Sequence, residues 1–429
     1  MIVRTAVSSV LAVGLSCAAL LAQKISTLDR QRAEEMLNLA VKEVKKHYYD
    51  PSLHGFNLDA RAEEARARIE NAQSLGQALT AIGWALDGLN DSHTVFLPPM
   101  HTLRMEYGWR MQMVGDKCFV TQVRPGSDAE SKGLKPGDQI LEVNGFQLQR
   151  ADYVKFEYVF YVLRPLPGLH VMLRSPDGTQ RSVDVLSRQR LESSQLLYWD
   201  LGQIFSEQER ENRNQYIGVG DDALVVKLKS FVLDEGQVNE FLGKLARKKS
   251  VLLDLRGNGG GSVDVLSRLL GVFFNHEVKI ADRVSRGQKK PQMTKTSKEA
   301  FAGKIVVLID SRSASASEVF ARVIQLEKRG IVVGDRSGGL VMEARIYDYH
   351  PGAGEVVLFG LEITDADIVM TDGKSLEGRG VEPDELVLAT AQDLAAGRDP
   401  VLSRGAALLG VNISPEKAGT LFPYVWPKN

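Results

Sequence analysis

Two short, wholly apolar runs constrain this chain most. Each leads into a loop of small residues and then an amphipathic segment. They read "SVLLDLRGNGGGSVDVLSRLLGVFF" (250–274) and "KIVVLIDSRSASASEVFARVIQLEK" (304–328). A strand without polar alternation is covered on both faces, which calls for helices on either side of a mostly parallel sheet. The neighbours keep the alternation. "ALVVKLKSF" (223–231) reads as a strand, "DEGQVNEFLGKLAR" (234–247) as a helix and "GIVVGD" (330–335) as a strand. An α/β core over about 191–390 is expected.

The 429 residues are too many for one small domain. The first 24 read as a leader: Arg4, an apolar run from Ala6 to Leu21, then Ala22 before Gln23. Cleavage near Ala22 (1–22) is expected, with an uncleaved anchor or a lipoprotein site at Cys17 as alternatives. No later run is long enough to span a membrane. Cys118 alone would remain after cleavage, so no intrachain disulfide is expected in this exported chain. With 53 basic and 54 acidic residues, nothing suggests nucleic acid.

Residues 23–100 carry helical periodicity and then the turn "DGLNDSHTVFLPP" (87–99). Residues 101–190 change to short β runs separated by Gly, Pro and Asp. There, "GSDAESKGLKPGDQILEVNG" (126–145) resembles the core of a PDZ domain. Residues 391–429 read as a closing helical extension.

Two loops suggest chemistry. The glycines of "DLRGNGGGS" (254–262) free backbone N–H groups to hold an anion, although a tight turn needs glycine too. Ser315 stands between a strand and a helix, where developing negative charge is favoured. Ser315 and Glu318 also fit a capping box with no catalytic role.

Together these segments resemble the carboxyl-terminal processing (tail-specific) serine peptidases. "DSHTVFLPP", the PDZ-like stretch, both loops, "SLEGRGVEPDELV" (375–387) and "GRDPVLSRGAALL" (397–409) occur in the family's order. The resemblance implies a PDZ domain inserted before a crotonase-like core. It also implies endopeptidase activity on protein or peptide substrates with free C-termini, and no cofactor. It places the nucleophile on Ser315 and the oxyanion donors on the N–H groups of Gly260 and Ala316. It sets tail capture around Gly108 and Trp109, with Arg188 a candidate link to the core.

The sequence departs from the family at the base. The usual lysine falls on Leu340 and a usual glutamine on Ala344. Arg336 and Arg345 stay protonated. A divergent branch resembling the tricorn core protease uses Ser–His–Glu instead, and His93 and Glu377 match its positions. Imidazole can take the serine proton while a carboxylate orients it. The alternatives are a structural histidine, a structural carboxylate, and an inactive relative that binds peptides or lipophilic ligands. The other six histidines show no paired metal-ligand spacing.

Overall fold

A computed structural model describes residues 25–99, 103–191, 214–296, 300–349 and 358–426. The expected leader and Cys17 lie outside the described residues. Among those described, no helix is long and apolar enough to cross a membrane.

The six-stranded sheet runs in the order Gln215–Val219, Ala223–Lys227, Ser250–Asp254, Lys304–Ile309, Ile331–Gly334 and Glu385–Leu386. Its first pair is antiparallel and the rest are parallel. Period-2 alternation explains the apolar runs. Leu224, Val251, Leu253, Ile305 and Val307 pack with the helices Glu235–Leu245, Val263–Gly271 and Ala316–Leu326. Val225, Leu252, Val306, Leu308 and Val333 pack on the other face against Leu402 and Ala406 of the helix Pro400–Leu408.

A second sheet ties the N-terminus to this core. The strand Val95–Leu97 pairs antiparallel with the long strand Phe359–Met370. The helices Thr27–His47, Leu58–Glu70 and Leu75–Asp87 cover it, and Phe96, Phe359 and Leu361 join their apolar cluster. Each helix starts on a side-chain cap: Ser26, Asn57 or Ser74.

Between them lies a β domain with strand order Trp109–Val114, Lys117–Val123, Gln139–Val143, Gly168–Arg174 and Gln180–Leu186. Its edge strand, Trp109–Val114, meets the core. Ser311 Oγ donates to Met113 O at 2.6 Å, and Arg312 donates to Met111 O at 3.3 Å. Arg312 also reaches Glu157 Oε1 at 3.1 Å, a pair with side chains only 10% and 8% exposed. Gln112 donates to Asp310 at 2.6 Å, and Arg150 binds Asp335 and Arg336 O. The loop before Ser315 therefore grips the β domain.

Candidate active site

Ser315 is the last residue before the helix Ala316–Leu326, and its backbone is strained, at φ 54° and ψ −121°. A side chain other than glycine's seldom tolerates that geometry, which lifts the hydroxyl off a sharp strand-to-helix turn. Several contacts enforce it. Ser315 N–H lies 3.0 Å from Leu340 O and 3.0 Å from Glu318 Oε2. Glu318 is buried and also accepts from Ser337 Oγ (2.5 Å), Gly339 N (2.7 Å) and Leu340 N (2.9 Å). Burial raises this carboxyl to about 7 against the pull of those donors. The capping-box glutamate thus locks both the serine and the loop that carries Leu340.

The glycine loop closes from the other side. A side chain on Gly260 (φ 99°) would come within 2.6 Å of Ser315 Cβ, so only glycine fits there. Its N–H donates to Asn258 Oδ1 at 2.9 Å. The expected oxyanion donor is therefore already engaged. Gly259 and Gly261 line the adjoining cavity. Ala316 opens its helix, where the N–H groups have no intrahelical partner. Asp310 knits the two loops together, accepting from Gly257 N at 2.9 Å and Arg312 N at 3.0 Å.

His93 and Ser315 line the same cavity of about 550 Å³, with Ser92, Leu340, Met342 and Val263. Asp91 fixes the histidine's backbone by accepting from His93 N (2.9 Å) and Thr94 N (2.7 Å). Thr364 of the long strand anchors Asp91 at 2.9 Å. Burial pushes the imidazole down to about 4, with Asp91 pulling the other way, so His93 is neutral at neutral pH.

Glu377 reaches the histidine through a residue the sequence reading passed over. Its Oε1 accepts from Ser92 N at 2.7 Å and its Oε2 from Ser92 Oγ at 3.0 Å. Ser92 Oγ lies 2.6 Å from His93 Nδ1. With Glu377 ionised, the carboxylate only accepts, so the Ser92 hydroxyl donates to it and accepts from Nδ1–H, and Nε2 keeps a free lone pair. Val341 N also donates to Glu377, at 2.8 Å. Burial raises the Glu377 carboxyl to about 7, with Asp91 adding to the rise and the hydrogen bonds opposing it.

The residues expected to take a peptide fall elsewhere. Gly108 (φ 73°) packs so tightly on Ser127 that a side chain would collide with it. Trp109 is 4% exposed and belongs to the β domain's core. Period-2 alternation turns its side chain inward. Arg188 is exposed on a ribbon, Arg188–Leu191, paired with Leu103–Glu106. The signals for the missed residues were Ser92 beside His93 and the Asp-x-His-Thr turn.

Fold and site define an arrangement: an α/β core whose strained serine shares a cavity with a histidine, joined to a separate β domain. Residues 222–387 match the model of peptidase family S41 and residues 100–159 that of the PDZ domain. The chain therefore carries an S41 peptidase domain and a PDZ domain. It is 24% identical over 328 residues to a probable CtpA-like serine protease of Staphylococcus aureus (strain MRSA252), covering 73% of this chain and 60% of that protein. With the tail-specific protease of Haemophilus influenzae it shares 25% identity over 309 residues, 68% of this chain and 43% of that one. The matched part thus spans less than two thirds of these relatives. Mature CPAF, solved in complex with lactacystin, superposes with a TM-score of 0.65 at 15% identity, covering 86% of this chain and 96% of its own. The photosystem II D1 C-terminal processing protease gives 0.51 at 17%, covering 86% and 98%.

Proposed function

We propose that this chain is an exported serine endopeptidase in which Ser315 attacks the scissile carbonyl. His93 Nε2 takes the serine proton and returns it to the leaving amine. Ser92 and Glu377 hold the imidazole in the tautomer that leaves Nε2 free. The observation that carries this reading is the strained Ser315 sharing a cavity with a histidine whose other nitrogen is bound. Ala316 N–H meets the developing oxyanion. Gly260 N–H joins it if that amide leaves Asn258.

The substrates proposed are proteins cut near their C-termini. The tail would add to the edge strand of the PDZ domain once Ser311 and Arg312 release the Met113 and Met111 carbonyls, and main-chain pairing would then give affinity. The sheet with helices on both faces supports a crotonase-like ancestry for the core. The relatives' names are those of proteases, which does not favour a scaffold role. The apolar run Ala6–Leu21 supports export to the periplasm or beyond.

Ser315→Ala is expected to abolish peptide hydrolysis and labelling by a serine-directed phosphonate, with the circular dichroism spectrum unchanged. Retained hydrolysis in that variant removes Ser315 from the mechanism.

A further inference from the structure

The described chain ends on its own PDZ domain. Arg110 lies in the edge strand opposite Gln122, outward between the buried Trp109 and Met111. Its guanidinium lies over the ring of Tyr424, 4.5 Å from the centroid. Arg124, which follows the neighbouring strand and donates its N–H to Gly108 O at 2.8 Å, lies over Trp426 at 5.9 Å. Glu106 steadies that guanidinium at 3.0 Å. The two rings meet edge to face, 5.1 Å apart at 89°. Val425 between them is 69% exposed, and Pro423 is exposed as well. The segment from Pro423 to Trp426 is neither helix nor strand.

We propose that this two-arginine face is a binding site for extended peptides carrying two aromatic side chains one residue apart. The chain's own Tyr424-Val425-Trp426 is its resident ligand. Guanidinium groups read the faces of aromatic rings, and the attraction does not depend on which chain supplies them. An extended segment places residues i and i+2 on one side, so both rings reach the arginines while the middle side chain faces solvent. Arg110 sits in the strand to which a substrate tail would be added. Substrates with an aromatic-x-aromatic segment near the C-terminus are therefore favoured, once they displace the resident tail. This last step rests on the peptidase reading; the binding site itself does not.

Binding is measured without turnover, on full-length Ser315→Ala protein. The probe is a fluorescein-labelled heptapeptide with the sequence of residues 423–429. Protein that also carries Tyr424→Ala and Trp426→Ala should bind it at least tenfold more tightly than protein with the tail intact. The same peptide with alanine for both aromatic residues should not bind. Arg110→Leu with Arg124→Leu should remove binding to the tail-altered protein. Equal affinity with and without the resident rings, or equal affinity for the alanine peptide, overturns the proposal. The peptide comparison holds even if the arginine variant fails to fold. Loss of hydrolysis in wild-type protein with binding intact would count against the peptidase reading alone.

Discussion

Ser315 carries two burdens that substitution can separate. Its φ of 54° costs about 1–3 kcal/mol in a residue with a side chain. Glycine adopts that geometry freely but loses more chain entropy on folding, about 0.5–1 kcal/mol. Ser315→Gly is therefore expected to be about 1 kcal/mol more stable than Ser315→Ala in urea unfolding, and both should be inactive. A glycine variant less stable than the alanine one would remove the argument for strain. At Glu377 the sign follows from the proton count. Ionised, it accepts the Ser92 proton and leaves Nε2 free. Protonated, below about 7, it can donate to Ser92 Oγ, which then donates to Nδ1 and moves the imidazole proton to Nε2. The value of kcat/KM should rise with pH through about 7, although His93 itself is neutral above about 4. Glu377→Gln should abolish that limb. Ser92→Ala should lower kcat by about 100-fold with little change in KM. A pH profile that Glu377→Gln leaves unchanged would exclude the tautomer switch. Asp91's bonds to His93 N and Thr94 N were legible as a local turn, but its anchor on Thr364, 273 positions away, was not.

At the scale of elements, the loop 310–315 has two neighbours. On one side it shapes the strained Ser315 turn, and on the other it inserts Arg312 between the PDZ edge strand and Glu157. Removing one partner of a buried ion pair leaves the other charge stranded, at a cost of about 3–5 kcal/mol. Arg312→Met or Glu157→Met alone should lose that much in urea unfolding. The double variant Arg312→Met with Glu157→Met should recover most of it. If the double variant loses the sum of the two, the charges are not acting as a pair. Phosphonate labelling of the single variants reports whether Ser315 moves with its loop. The strands and helices here were readable, since apolar runs and caps are local signals. The Arg312–Glu157 pair was not, because the two residues are 155 positions apart and neither stands in a recognisable pattern.

Across the whole molecule, residues 391–402 add a further tie between the core and the PDZ domain. Arg256, beside the glycine loop, binds Asp254 at 2.8 Å and Asp399 at 2.7 Å. Burial would raise Asp254, yet Arg256 and Lys227 hold it at about 2. From there the chain returns to the PDZ domain. Gly137 (φ 91°) packs against the Ala391 carbonyl, and Gln392 donates to Pro176 O at 3.2 Å. Gly137→Val should loosen this contact, and small-angle scattering should show a larger radius of gyration with the S41 core still folded. An unchanged radius would mean that the 310–315 loop and the Arg150–Asp335 contact suffice to fix the PDZ domain. The order of the segments was legible in the sequence. Their mutual placement was not, because single glycines in close contact and a few charged pairs decide it.

The relay has a consequence for synthesis. Ser92 and Glu377 meet across 285 positions, and Ser315 lies between them in the chain. The strand that anchors Asp91 pairs with the N-terminal strand only after residue 359 has appeared. A nascent chain that has already made its serine loop still lacks the carboxylate that sets its histidine. On the proposed mechanism an unfinished copy would not yet cleave its neighbours, and competence would arrive only once residue 377 has been made.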